Sequence, residues 1–496
     1  MNIIPNQSGT TPSYFCTWSS QYSTITDEMI KQGVTGPKAS EFARTNLNDE
    51  SLFGKNGVAL QHERIRGDLY FVLDDGWDVP YGIHEYTNKP GFGSMLLNEE
   101  RFPSCAGAPA TRLRKMDDRL RSIGWKGAGF WIAAQAWGES KENRLEPEAV
   151  ERYWRERIRW SQAAGIHYWK VDWGLHCVNV DFRRMLSRIG KEEYPELIIE
   201  HCWCMPPANL GPDGRFGEWE NIANGSREIF SFSDMFRSYD VITPFSVVST
   251  LDRIGVLLNT PVADHAFGMI NCEDEVYLGA ALGCALGVMR STIREKPLMK
   301  MDEPVRAVRW QRLAPAFGSK CNETHISNDI AYETKFIESI WVEQMNAKEV
   351  RQGSPIAISR GISLPKITVS DSQDQKPYVV AARNPNGAVS VATLRRISGN
   401  FFETPRCNIE LDVGSDNCPI GVFGHYGQLT LTFDHTIERK CIYAQDLAGD
   451  TARDITNSVT IDGIRLIIPG ELIDEVGLSN ATENDNSEPG IAIVLA

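Results

Sequence analysis

The stretch Ala164-Gly165-Ile166-His167-Tyr168-Trp169-Lys170-Val171-Asp172-Trp173-Gly174 decides how the chain is read. Its aromatic and β-branched run from Ile166 to Val171 suits a strand in a packed sheet. The run ends in a carboxylate, Asp172, followed closely by a glycine. A carboxylate at the C-terminal tip of a barrel strand faces the mouth, where barrel chemistry is done. Lys170 lies two residues earlier, so its side chain emerges on the same face of the strand as that of Asp172. An ammonium in that position favours the ionised form of Asp172 and can hold a ligand hydroxyl. The blander alternative is an Asp that only caps the next helix.

The same strand-then-helix rhythm extends on both sides. Apolar runs at 13–17, 68–73, 127–133, 167–171, 197–200 and 230–236 are candidate strands. Charged amphipathic segments lie between them, among them 116–123 and Pro147–Ala164. This alternation predicts a (β/α)8 TIM barrel, class α/β. A doubly wound sheet is the alternative, but no Gly-rich phosphate loop follows the first strand. Beyond about residue 356 the character changes. Short β-rich runs at 378–382, 388–394, Gln428–Phe433, 459–461, 464–468 and 491–495 are separated by turn residues. That pattern predicts an antiparallel β-sandwich. The expected organisation is an N-terminal extension over 1–11, a catalytic barrel over 12–350 and a C-terminal sandwich over 351–496.

Composition narrows the function classes. The 496 residues are 42% hydrophobic and 23% charged, as in a globular protein of two or three domains. A net charge of −14 argues against nucleic acid or an anionic membrane as partner. No apolar run is long enough for a transmembrane helix. The first residues carry no basic-then-apolar leader, and the 11 cysteines show no disulfide framework. These features predict reduced thiols and a cytoplasmic location, with Asn322-Glu323-Thr324 a chance sequon. Self-association into a homo-oligomer is compatible with the same composition.

Several further residues carry chemistry. Asp74 and Asp75 are adjacent in Leu73-Asp74-Asp75-Gly76-Trp77, where like charges repel unless a ligand or cation lies between them. Such a pair suits sugar hydroxyls, or a divalent ion. Trp77 offers an apolar face beside it. His201, Cys202 and Cys204 are soft atoms that could hold zinc, but no fourth ligand shows clear spacing.

In order, these motifs resemble the retaining α-galactosidase-like glycoside hydrolases, families 27 and 36 of clan D. Tyr168-x-Lys170-x-Asp172 resembles their nucleophile strand, and Asp74-Asp75-x-Trp77 their second strand. The Trp18 region resembles the first strand, and Gly129-Phe130-Trp131 the third. Arg237-x-x-Asp240 resembles the Arg and acid/base Asp of the sixth, with a spacing one residue shorter than usual in family 27; Asp234 is the reserve. Asp264, then Glu273-Asp274-Glu275 before an Ala/Gly/Leu-rich helix, resembles the seventh strand and its helix.

The resemblance implies a small carbohydrate or oligosaccharide substrate and double displacement. Asp172 would be the nucleophile and Asp240 the acid/base, with carboxyls about 5–5.5 Å apart. Asp74, Asp75, Trp77, Trp18, Trp131, Lys170, Cys202, Arg237 and Asp264 are the implied sugar-binding residues. Cys202 stands where the family places a Glu or Ser against carbon 2 of the sugar. No metal or organic cofactor is implied. A β-L-arabinopyranosidase, an α-N-acetylgalactosaminidase and a non-catalytic carbohydrate-binding protein on the same fold are the alternatives. A metal-dependent barrel hydrolase using Asp74, Asp75 and His201 is a further one.

Overall fold

The computed structural model describes residues 1–83, 89–202, 220–238, 246–290, 300–336, 349–369, 375–398, 401–415, 417–437 and 441–496. Eight strands form a closed barrel in sequence order. They are β1 (Tyr14–Cys16), β2 (Tyr70–Leu73), β3 (Gly127–Ile132), β4 (Tyr168–Val171), β5 (Ile198–Cys202), β6 (Met235–Arg237), β7 (Met269–Glu273) and β8 (Ala285–Val288). Every neighbouring pair is parallel, and β8 closes on β1 through Tyr14 opposite Gly287.

A helix lies in each connection and after the last strand. These are α1 (Gly36–Thr45), α2 (Pro109–Ser122), α3 (Pro147–Ala164), α4 (Val180–Glu193), α5 (Glu220–Phe232), α6 (Ser246–Leu258), α7 (Val276–Ala281) and α8 (Asp302–Trp310). Short single-turn helices accompany them in the connections.

The stretch around Asp172 owes its place to α3. Proline stands in the first turn of that helix, where its missing N–H costs no hydrogen bond. Gly165 ends it in a left-handed conformation, φ +78°, and turns the chain into β4. Between them Val150, Trp154, Ile158, Ser161 and Ala164 are buried at helical spacing. Trp154 meets Trp169 of β4 edge-on, with ring centroids 5.8 Å apart. Burying one such side chain contributes roughly 1.5–3 kcal/mol.

Strand alternation then sorts the side chains. Phe71, Phe130, Trp169, Val171, Phe236, Ile270 and Leu286 face the helices in the main core. Tyr14, Cys16, Tyr70, Val72, Tyr168, Met235, Met269 and Ala285 form a separate cluster inside the barrel.

Two expectations are corrected. The run 230–236 is not one strand: Phe230 and Phe232 close α5, and β6 starts at Met235. A short apolar run does not by itself distinguish a buried helix end from a strand. The Ala/Gly/Leu-rich segment after Glu275 is likewise not one helix, because α7 stops at Ala281 and Ala285–Val288 is the eighth strand.

The C-terminal part has two principal sheets. The larger runs through Arg453–Asp454, Ile442–Asp446, Gly490–Leu495, Ile420–Phe423, Val389–Leu394, Tyr378–Arg383, Ala357–Arg360 and Thr324–Ile326. The smaller runs through Lys366–Thr368, Asn408–Gly414, Gln428–Phe433, Arg465–Pro469 and Thr460–Asp462. The fold is thus a TIM barrel followed by a β-sandwich, with mixed pairing: most contacts are antiparallel, but Ala357–Arg360 with Tyr378–Arg383, Val389–Leu394 with Ile420–Phe423, and Asn408–Gly414 with Gln428–Phe433 are parallel.

Candidate functional site

The site is built where β1 to β7 end. On β4, Tyr168, Lys170 and Asp172 share the inner face. The backbone around Asp172 is fixed from two sides. Its N–H donates to Ile132 O at 3.0 Å, and its carbonyl accepts from Arg183 of α4 at 2.6 Å. Arg183 also donates to Val171 O at 2.8 Å. The Asp172 carboxylate receives Trp131 Nε1 from β3 and lies against Arg237 Nη2 from β6, both 3.1 Å from Oδ2. Two other strands, β3 next to β4 and β6 two places along the barrel, therefore orient one carboxylate oxygen.

Beneath it lies a compact charge network. Lys170 Nζ is 2.9 Å from Asp74 Oδ2 and 2.9 Å from Glu273 Oε1. It also approaches Cys16 Sγ at 3.3 Å, and that thiol donates to Asp74 Oδ2 at 3.0 Å. Arg237 pairs closely with Glu273 and lies 3.8 Å from Glu200. Asp172 is the most exposed of these carboxylates, its side chain 18% accessible against 5% for Asp74, 1% for Glu273 and 0% for Glu200.

The network sets the protonation states. Burial works to raise Glu273, but Arg237 and Lys170 overcome it and hold the carboxyl at about 2. Burial also works to neutralise Lys170, helped by Arg237. The anions Asp74 and Glu273, with the Cys16 thiol, outweigh both and push it well above its ordinary value. Glu200 goes the other way: burial raises it to about 7, with Glu273 adding to the rise and Arg237 opposing it. The Cys16 thiol is pushed up by burial and by Asp74.

The expected residues divide into three groups. Asp172, Lys170, Asp74, Arg237 and Trp131 come together in the network, and Trp18 packs half-buried at the edge of the inner cluster just past β1. Cys202, buried at the tip of β5, follows Glu200 on the inner face and pairs in register with Arg237.

Three residues do not meet the expectation. Trp77 is fully buried on the helix side, 4.4 Å from Phe130 by ring centroids, and donates to Trp131 O, so it cannot wall a sugar. Asp75 is buried and pairs with Arg44 of α1 at 2.6 Å while Asp74 pairs with Lys170, so each of the adjacent carboxylates is balanced by a different cation of the protein itself. Asp264 is a fully exposed residue preceding β7, which puts it at the opposite end of the barrel. The reserve Asp234 precedes β6 at that same end and pairs with Lys191 at 3.0 Å.

Asp240 and Cys204 lie outside the described residues. His201 and Cys202 are consecutive on β5 and leave opposite faces, which separates the two soft ligands. The His201 ring is buried against Ser187 at 2.8 Å, and burial and Arg183 hold it well below the ordinary imidazole range.

Glu200, Glu273, Tyr14 and Arg183 join the site although the sequence reading assigned none of them a role there. For Glu200 a signal existed: a carboxylate within the apolar run Ile198–Cys202 is expensive unless something below the mouth receives it.

No protein-family model matches the chain, and no curated protein matches it significantly. Solved structures do overlap with it. A family 44 endoglucanase from Clostridium acetobutylium is 11% identical, covering 96% of this chain and 87% of its own, with a TM-score of 0.31. A Paenibacillus polymyxa family 44 xyloglucanase is 10% identical, covering 92% and 70%, with a TM-score of 0.21. A family 51 arabinofuranosidase from Xanthomonas axonopodis pv. citri is 8% identical, covering 86% and 76%, also at 0.21. Likenesses at this level carry no argument, and the barrel rests on its own strand order.

Proposed function

We propose that the protein is a retaining, exo-acting glycoside hydrolase of the α-galactosidase type, with Asp172 as nucleophile. One observation carries this reading: the carboxylate at the tip of β4 is oriented by Arg237 and Trp131 and is the most accessible acid of a network that is otherwise buried. The motif order described above supports the sugar class.

In this mechanism the Asp172 carboxylate attacks the anomeric carbon as the bond to the leaving oxygen breaks. Asp240 gives its proton to that oxygen, then takes one from the water that cleaves the glycosyl-enzyme. The role of Asp240 rests on the Arg237-x-x-Asp240 motif. Asp74 and Lys170 would meet sugar hydroxyls, Trp18 and Trp131 would border the ring, and Cys202 would lie near its second carbon. Arg237 would orient the nucleophile.

The test is hydrolysis of aryl α-galactoside, β-L-arabinopyranoside, α-N-acetylgalactosaminide and α-glucoside by the wild type and by Asp172→Ala. Release from one of the first three is expected. The variant should lose at least about 10⁴-fold in kcat, on the scale of removing other enzymic nucleophiles. Azide should restore turnover with inversion at the anomeric carbon. Undiminished activity in Asp172→Ala would remove Asp172 from the mechanism.

A further inference from the structure

Arg237 is the hub of the barrel interior. Its guanidinium meets Asp172 at the mouth and Glu273 beside it, while its Nε lies 3.8 Å from Glu200. The Glu200 side chain is wholly buried. Its Oε2 accepts from Tyr168 OH at 2.8 Å and from Asn271 Nδ2 at 2.7 Å, while Tyr14 OH, 3.3 Å from its Oε1 and 3.0 Å from Glu273 Oε1, divides one proton between the two carboxyls. Two neutral donors, a Tyr14 hydroxyl shared with Glu273 and one shared cation therefore surround a carboxyl one step away from the nucleophile.

We propose that Glu200 is a positioning residue for Asp172 that acts through Arg237: neutral, it leaves the guanidinium to Asp172 and Glu273; ionised, it competes with them for it. This rests on the reading of Asp172 as nucleophile.

The surrounding charges make the competition matter. Among the described residues, the titratable side chains facing this space are Tyr14 and Cys16 on β1, Tyr70 and Asp74 on β2, Tyr168, Lys170 and Asp172 on and just after β4, Cys202 on β5 beside Glu200 itself, Arg237 on β6, and Glu273 on β7. With Glu200 neutral, two cations face three anions; its ionisation adds a fourth anion to the same two cations. Burial, assisted by Glu273 and opposed by Arg237, sets this change at about 7. Burial and Glu200 itself push both tyrosines well above their ordinary values, so they remain neutral donors throughout.

The experiment is the pH profile of kcat/KM for wild type, Glu200→Gln and Tyr168→Phe on the aryl glycoside that the panel identifies. Wild type should lose activity as Glu200 ionises. Glu200→Gln should lack that ionisation and hold its activity to higher pH. Tyr168→Phe removes a donor that favours the ionised form, so the ionisation should move upward. A side chain that merely fills space would scale the whole profile and leave its shape alone. A Glu200→Gln profile with the wild-type shape overturns the proposal. Should that variant not fold, an unshifted profile in Tyr168→Phe overturns it equally.

An infrared titration of the protein without substrate separates this inference from the catalytic reading. A protonated-carboxyl band missing from Glu200→Gln, or from Tyr168→Phe at its wild-type position, should disappear between about pH 6 and pH 8. Absence of such a band at the lower pH overturns the role of Glu200 even if glycosides are hydrolysed. Hydrolysis of no glycoside overturns the catalytic reading instead.

Discussion

Lys170 illustrates what a charge requires inside a barrel. Its ammonium, 2% exposed, is held between Asp74 and Glu273. Removing one partner of a buried ion pair leaves an uncompensated charge and costs about 3–5 kcal/mol. Lys170→Met keeps most of the volume and should lose stability of that order, read as a lower urea midpoint. The variant should also become more acid-sensitive. Glu273 ionises at about 2 in the folded chain against 4.5 as its ordinary value. Its stabilisation is therefore present above about 4.5 and lost as pH falls through the folded value. With one cation gone the folded value rises, and the acid transition should move to higher pH. An unchanged midpoint and acid limb would show that the ion pairs contribute nothing. Four members of this network, Asp172, Lys170, Asp74 and Arg237, were legible as residue types at strand ends. Glu273 was noticed only as part of an acidic run, because its role depends on β7 lying across the lumen from β4.

At the scale of elements, the turn after β4 is a tight constraint near the site. Gly174 has φ +147°, and a Cβ there would stand 2.7 Å from the backbone of Ala134. The approach is needed because the β3 and β4 loops are laced together: Ala134 N donates to Trp173 O at 2.7 Å and His176 N to Ala134 O at 2.8 Å. Backbone cannot yield as a flexible side chain can. Gly174→Ala should therefore destabilise by about 1–3 kcal/mol through strain. It should lower kcat as well, because Asp172 is two residues away. A variant with wild-type melting temperature and kcat would mean that the turn tolerates a side chain. The helix Pro147–Ala164 was readable because its pattern is long and its ends are marked by proline and glycine, and that glycine in turn marks where the strand leading to Asp172 begins. The β6 and β8 segments were not. Each runs on from an apolar helix with no change of composition between them, and only closure of the barrel makes them strands.

Over the whole molecule, the barrel and sandwich are joined by buried polar contacts as well as apolar ones. Arg306 of α8 pairs with Asp446 at 2.9 Å, both side chains fully buried. Arg360 of the sandwich donates to the carbonyls of Leu282 and Gly318 at 2.9 Å on the barrel side. Trp310 packs near Phe423, with ring centroids 6.2 Å apart. The two parts should thus unfold together. Asp446→Ala strands Arg306 and also removes the acceptor of two backbone N–H groups, those of Ala448 and Asn480. A loss of about 3–5 kcal/mol is expected. In calorimetry it should appear as one lowered transition. Two separated transitions, with the barrel's unchanged, would show that the sandwich does not support the barrel.

The sequence by itself determined the barrel class, most of its strands, the β-rich character of the C-terminal part and the residue types at the strand tips. These follow from local periodicity and from where carboxylates and glycines interrupt it. Only the tertiary structure decided which of those residues meet. Trp77 turned to the helix layer, Asp75 to Arg44 and Asp264 to the far end, whereas Glu200 and Glu273 converged on Arg237. Such convergence depends on which strands become neighbours around the closed barrel and which face each side chain takes, and a pairing between residues many positions apart leaves no mark in the pattern of either strand.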